Sequence, residues 1–66
     1  MFRIYFTKFD QQGYPRLEFS GQNRKTLREC MDMLERNGFY PARKNVKRRY
    51  VWYHSNGMRA AIQKVL

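Results

Sequence analysis

Cysteine, histidine and acidic residues are scarce in this chain. The single cysteine, Cys30, excludes an internal disulfide. One cysteine and one histidine, His54, cannot make up the ligand set of a zinc site, and no other cofactor signature is present. The four glycines stand apart at positions 13, 21, 38 and 57, so there is no glycine-rich loop to cradle a phosphate. The longest apolar run is four residues, Phe39 to Ala42 with Pro41 counted, far short of the about 20 needed to span a bilayer. Membrane association is therefore not expected. The N-terminus is strand-like from Phe2 and lacks the basic-then-apolar pattern of a secretory signal, so a reduced, cytoplasmic location is expected.

Acids are the most telling shortage. Five face 14 Lys and Arg, giving a formal net charge of +9. All five acids (Asp10, Glu18, Glu29, Asp32, Glu35) lie within residues 1–36, whereas residues 37–66 carry seven bases and none. A chain this lopsided is suited to a polyanion or an acidic protein surface. Aromatics make up 17% of its 66 residues, too many for a disordered segment, and the length fits one domain, residues 1–66.

The apolar pattern predicts α+β architecture. Phe2 to Phe9 alternates with period two, with Phe2, Ile4 and Phe6 on one face and Arg3, Tyr5, Thr7 and Phe9 on the other. A turn at Asp10–Gly13 leads to a second strand whose Leu17 and Phe19 point inward, completing a hairpin. Thr26 and Glu29 have capping-box spacing, with Asn23 an alternative start one turn earlier. Leu27, Cys30, Met31 and Leu34 then mark one helical face, and Asn37-Gly38 ends the helix. Phe39–Lys44 and Arg48–His54 predict a second hairpin around Asn45-Val46-Lys47. Met58, Ala61, Ile62 and Val65 fit a second helix, with a fifth strand as the alternative because Asn56-Gly57 is also a hairpin signal. The expected fold is ββαββα: two antiparallel hairpins form a four-stranded sheet with both helices on one face.

If Arg48–His54 is a strand, Val51 and Tyr53 suit the core. Arg48, Tyr50, Trp52 and His54 then share the open face with Arg3 and Tyr5. With Arg43, Lys44, Lys47 and Arg49 nearby, this face combines stacking rings with phosphate-pairing bases, as single-stranded nucleic acid requires. Charge alone equally allows duplex binding through residues 43–49. The competing packing reading puts Trp52 in a core or a dimer interface and makes the bases guards against edge-to-edge pairing.

His54 is the only side chain suited to general acid–base work at neutral pH. Residues 26–57 resemble HicA-type mRNA interferase toxins, which also run a short helix into Asn-Gly-Phe (here Asn37-Gly38-Phe39) and then basic strands. In that family the catalytic histidine follows Gly-Ser at the start of the second strand. This chain has Val46-Lys47-Arg48 there, and its N-terminal hairpin breaks the family's helix-first order. The resemblance thus implies a shared shape without the catalytic residue. Cys30, on the apolar helix face, is expected to be an inert buried thiol.

The expectation is a small, non-enzymatic nucleic-acid-binding accessory protein, for DNA or RNA, with a homodimer allowed. Compact basic chains of this kind are common products of phages and mobile elements. The alternative is a protein-interaction module or host-directed inhibitor that uses the basic face against an acidic protein surface.

Overall fold

A computed structural model describes the whole chain, Met1–Leu66. It contains β1 (Phe2–Phe9), β2 (Pro15–Ser20), α1 (Leu27–Arg36), β3 (Tyr40–Pro41), β4 (Val51–Tyr53) and β5 (Met58–Lys64). The strands form one antiparallel sheet in the order β2-β1-β5-β4-β3. The expected ββαββα arrangement is thereby corrected: there are five strands and one helix. No helix is long and apolar enough to cross a membrane.

The C-terminal segment accounts for the difference. Met58, Ala60 and Ile62 also alternate, and as a strand they place Ala60 and Ile62 in the core while Arg59 and Gln63 stay exposed. Pairing with β1 on one side and β4 on the other satisfies its backbone along both edges. A nine-residue helix on its own would be marginal in water, so two strand partners override the helical periodicity. The three-residue turn Ser55-Asn56-Gly57 sets the register. Gly57 has φ +89°, and a Cβ there would stand 3.2 Å from the Phe9 carbonyl oxygen of the neighbouring strand. The amide of Asn56 donates to His54 Nδ1 at 3.0 Å, and the amide of Met58 donates to Asn56 Oδ1 at 3.0 Å. The β1–β2 turn is built alike, with Asp10 Oδ1 accepting from the amides of Gln12 and Tyr14 at 2.9 Å each.

Helix α1 carries the chain from one sheet edge, β2, to the other, β3. Thr26 caps it by accepting the Glu29 amide at 3.2 Å. It ends in a Schellman motif, with Gly38 at φ +83°, its amide on the Glu35 carbonyl at 3.1 Å and the Phe39 amide on the Leu34 carbonyl at 3.0 Å. Cys30, Met31 and Leu34 are buried and Leu27 is half-buried, so the expected helical face is inward. Their partners are Ile4, Phe6, Trp52, Ala60 and Ile62. Desolvation pushes the Cys30 thiol above its ordinary pKa, as expected of an inert buried group.

Two further expectations change. One helix about 10 Å across cannot cover five strands spaced about 4.8 Å apart. Strand β2 is left outside its cover, and Leu17 and Phe19 remain 53% and 45% exposed, although Phe19 stacks on Phe6 at 4.9 Å. The second hairpin is also much shorter than Phe39–Lys44 paired with Arg48–His54. Only Tyr40–Pro41 and Val51–Tyr53 pair, and residues 42–50 form a loop. Hydrogen bonding continues past Pro41 only to the Ala42 amide on the Val51 carbonyl at 2.8 Å, and five bases in nine residues would be crowded across any longer pairing.

Candidate nucleic-acid interface

The phase of β4 decides which side chains reach the open face. Trp52 lies opposite Ala60 on β5 and Pro41 on β3, and it is fully buried against the helix side. Its large ring fits over the small Ala60. The opposite phase would turn Arg59, the partner of Tyr53, into the core. The expectation of an exposed Trp52 with Val51 and Tyr53 inward is thus reversed. Val51 and Tyr53 occupy the open face, beside Tyr40 across β3 and Ala61 and Arg59 across β5. The rings of Tyr40 and Tyr53 are 6.4 Å apart, centroid to centroid, and both are exposed.

Loop 42–50 rises beside this surface and closes a groove of about 470 Å³ lined by Ala42, Arg43, Val46, Arg48, Arg49, Tyr50, Val51 and Tyr53. Four of the proposed site residues therefore meet in one place: Arg43, Arg48, Arg49 and Tyr50. Lys44 and Lys47 are exposed on the same loop, outside the groove lining. Arg3 and Tyr5 stand on the open face of β1, two strands away from β4, with Arg3 Nε donating to Asn23 Oδ1 at 2.6 Å. Tyr40, Val46, Val51, Tyr53 and Arg59 escaped the sequence reading. The turn at Asn56-Gly57 could have revealed the last three, because it pairs Tyr53 with Arg59 and Trp52 with Ala60.

The core holds one wall of the groove in place. Trp52 Nε1 donates to the Arg49 carbonyl at 2.9 Å, and the Arg49 guanidinium lies over the indole at 5.9 Å. Arg49 Nε is buried and has no hydrogen-bond partner. The Nε is covered where the guanidinium packs over the indole, so its cost is carried by the packing there.

Charge is segregated across the fold. Helix α1 holds Glu29, Asp32 and Glu35 against Arg28 and Arg36, a net −1, on the opposite side of the sheet from the exposed tyrosines. Arg28 and Asp32 form an exposed pair at 3.8 Å. Loop 42–50 holds five bases and no acid.

His54 leaves the open face. Its ring packs edge-on against Phe39 at 4.9 Å, beside Gly38, and its Nδ1 accepts the Asn56 amide. The imidazole joins the helix end to the β4–β5 turn. Val46-Lys47-Arg48, where the toxin-like pattern would place a catalytic histidine, lies in the loop. No group of three or more His, Cys, Asp or Glu side chains could hold a metal ion. Comparison with protein-family models finds no match to this chain, and neither does comparison with curated proteins or with solved structures.

Proposed function

We propose that the chain is a non-enzymatic binder of single-stranded nucleic acid. Its groove between loop 42–50 and β4 takes a phosphodiester, and the tyrosines of the open sheet face take the adjoining bases. The observation that carries this reading is the position of Arg49. Its backbone carbonyl is held by Trp52 Nε1, its guanidinium packs over the Trp52 ring, and it lines the groove with Arg43, Arg48, Tyr50 and Tyr53. Arginines beside exposed rings provide both parts of single-strand recognition, charge for the backbone and flat surfaces for stacked bases. A binding role is also supported by His54, whose Nδ1 accepts the Asn56 amide and whose ring packs against Phe39.

Fluorescence-anisotropy titration of a labelled single strand and of a duplex of equal phosphate count tests this. The single strand should bind more tightly, with affinity falling as salt rises at a log–log slope on the order of −2 to −4 for three to five paired phosphates. Tyr53→Ala should weaken single-strand binding by about 1–3 kcal/mol without changing the melting temperature appreciably. Equal affinity for the duplex, or no effect of Tyr53→Ala, would remove the stacking part of the proposal. No binding of either at low salt would favour an acidic protein as the partner.

A further inference from the structure

The two edges of the sheet differ in kind. Strand β3 is two residues long and contains Pro41, so it offers almost nothing to pair with. Strand β2 is six residues long, and every one of them is exposed. The Gly21 amide donates to the Ile4 carbonyl, and Phe6 pairs with Phe19 and Lys8 with Leu17. The backbone groups of Phe19 and Leu17 therefore face β1, while those of Glu18 and Ser20 face outward and are unpaired within the sheet. On the helix side, Leu17 and Phe19 lie beyond the cover of α1.

The charge on β2 differs from that of β1 and β5, which carry only bases. Glu18 is the only acid in any strand, and Arg16 stands two residues before it. In a chain of net charge +9 the basic loop 42–50 repels a second copy of itself, but this edge is neutral and its two charges have opposite sign. An edge guarded against pairing would carry charges of one sign.

We propose that β2 is a homodimer interface, in which two copies pair antiparallel about a two-fold axis at Leu17 to make a continuous ten-stranded sheet. That register sets Leu17 against its own copy, Arg16 against the partner's Glu18, and Phe19 against the partner's Pro15. The register two-fold at Glu18 uses the same outward backbone groups but opposes two glutamates, so charge selects the first. Arg16 already bridges Asp10 at 2.7 Å and is 66% exposed at its side chain, leaving guanidinium N–H groups for a second carboxylate. The groove at β4 lies on the far side of each protomer, so pairing leaves both grooves open. The two β4 strands are then seven strand spacings apart, on the order of 30 Å along the sheet. This inference does not depend on what the grooves bind.

Sedimentation analysis tests it on the full chain, from micromolar to millimolar protomer. The wild type should approach twice its 8.1 kDa protomer mass as concentration rises. Glu18→Arg, whose site makes no side-chain hydrogen bond within the protomer, should stay monomeric with an unchanged circular dichroism spectrum. Arg16→Glu should also stay monomeric. Mixing the two variants should restore the dimer, because one strand then carries two arginines and the other two glutamates. A wild type that stays monomeric throughout overturns the proposal, as does a Glu18→Arg protein that dimerises like wild type. Unchanged oligonucleotide affinity of monomeric Glu18→Arg for a short strand would keep the outcome separate from that of the groove.

Discussion

The indole N–H of Trp52 donates to the carbonyl of Arg49 across 2.9 Å, joining the centre of the core to the loop that carries five of the 14 Lys and Arg and no acid. Within loop 42–50 no strands pair, and this bond, with the Ile62 amide on the Tyr50 carbonyl at 2.7 Å, fixes its C-terminal end just before β4. Core packing and groove geometry are therefore linked at one residue.

Trp52→Phe tests that link. The ring is kept but the donor is lost, and the smaller side chain leaves a gap, so stability should fall by about 1–3 kcal/mol. Oligonucleotide affinity should also fall, although no groove-lining residue is changed. Urea denaturation and anisotropy titration of the same preparation measure both. As the only tryptophan, Trp52 should emit at blue-shifted wavelengths in the free protein. Red-shifted emission would contradict its burial.

Gly38→Ala should cost roughly 1–3 kcal/mol, because φ +83° strains any residue with a Cβ. The new methyl would also stand 3.1 Å from His54 Nε2. Removing the ring with His54→Ala in the Gly38→Ala background should recover the steric part and leave the backbone part. Chemical denaturation of the two single variants and the double variant separates them. Full additivity would show that the His54 ring has room to move.

The fold was legible in the sequence wherever one pattern had a single reading. Leu27, Cys30, Met31 and Leu34 had only a helix to suit them, and Thr26 and Gly38 marked its ends. The tail had two readings, since Met58, Ala61, Ile62 and Val65 satisfy a helix while Met58, Ala60 and Ile62 satisfy a strand. Strand partners far away in sequence decided between them. Misreading the tail then removed the register that fixes β4, and with it the facing of Trp52. The basic half of the expected site, Arg43, Lys44, Lys47 and Arg48, keeps its exposure despite that error because loop 42–50 reaches solvent in either phase. The aromatic half does not, because a one-residue change of phase exchanges Tyr53 for Trp52.

Asp10 supplies a pH dependence. Its carboxylate accepts the Tyr14 amide, the Arg16 side chain and the Gln12 amide, which hold its pKa below the usual 3.8. A carboxylate with a depressed folded-state pKa stabilises fully above its unfolded value and loses that contribution as pH falls through the lower folded value. The hairpin should therefore weaken below about pH 3.8, and Asp10→Asn should flatten that part of the curve. Thermal melts of both proteins from pH 6 down to pH 2 check this, with identical slopes as the contrary result.

Amide chemical-shift mapping during titration with a short single-stranded oligonucleotide tests the central claim most directly. Shifts should concentrate in residues 40–53, at Arg59 and at Ala61, and leave the exposed face of α1 unmoved. Arg43→Glu combined with Arg48→Glu should abolish them without altering the fold, since both side chains are exposed and neither packs on Trp52. Shifts centred on α1, or none at low salt, would contradict the account.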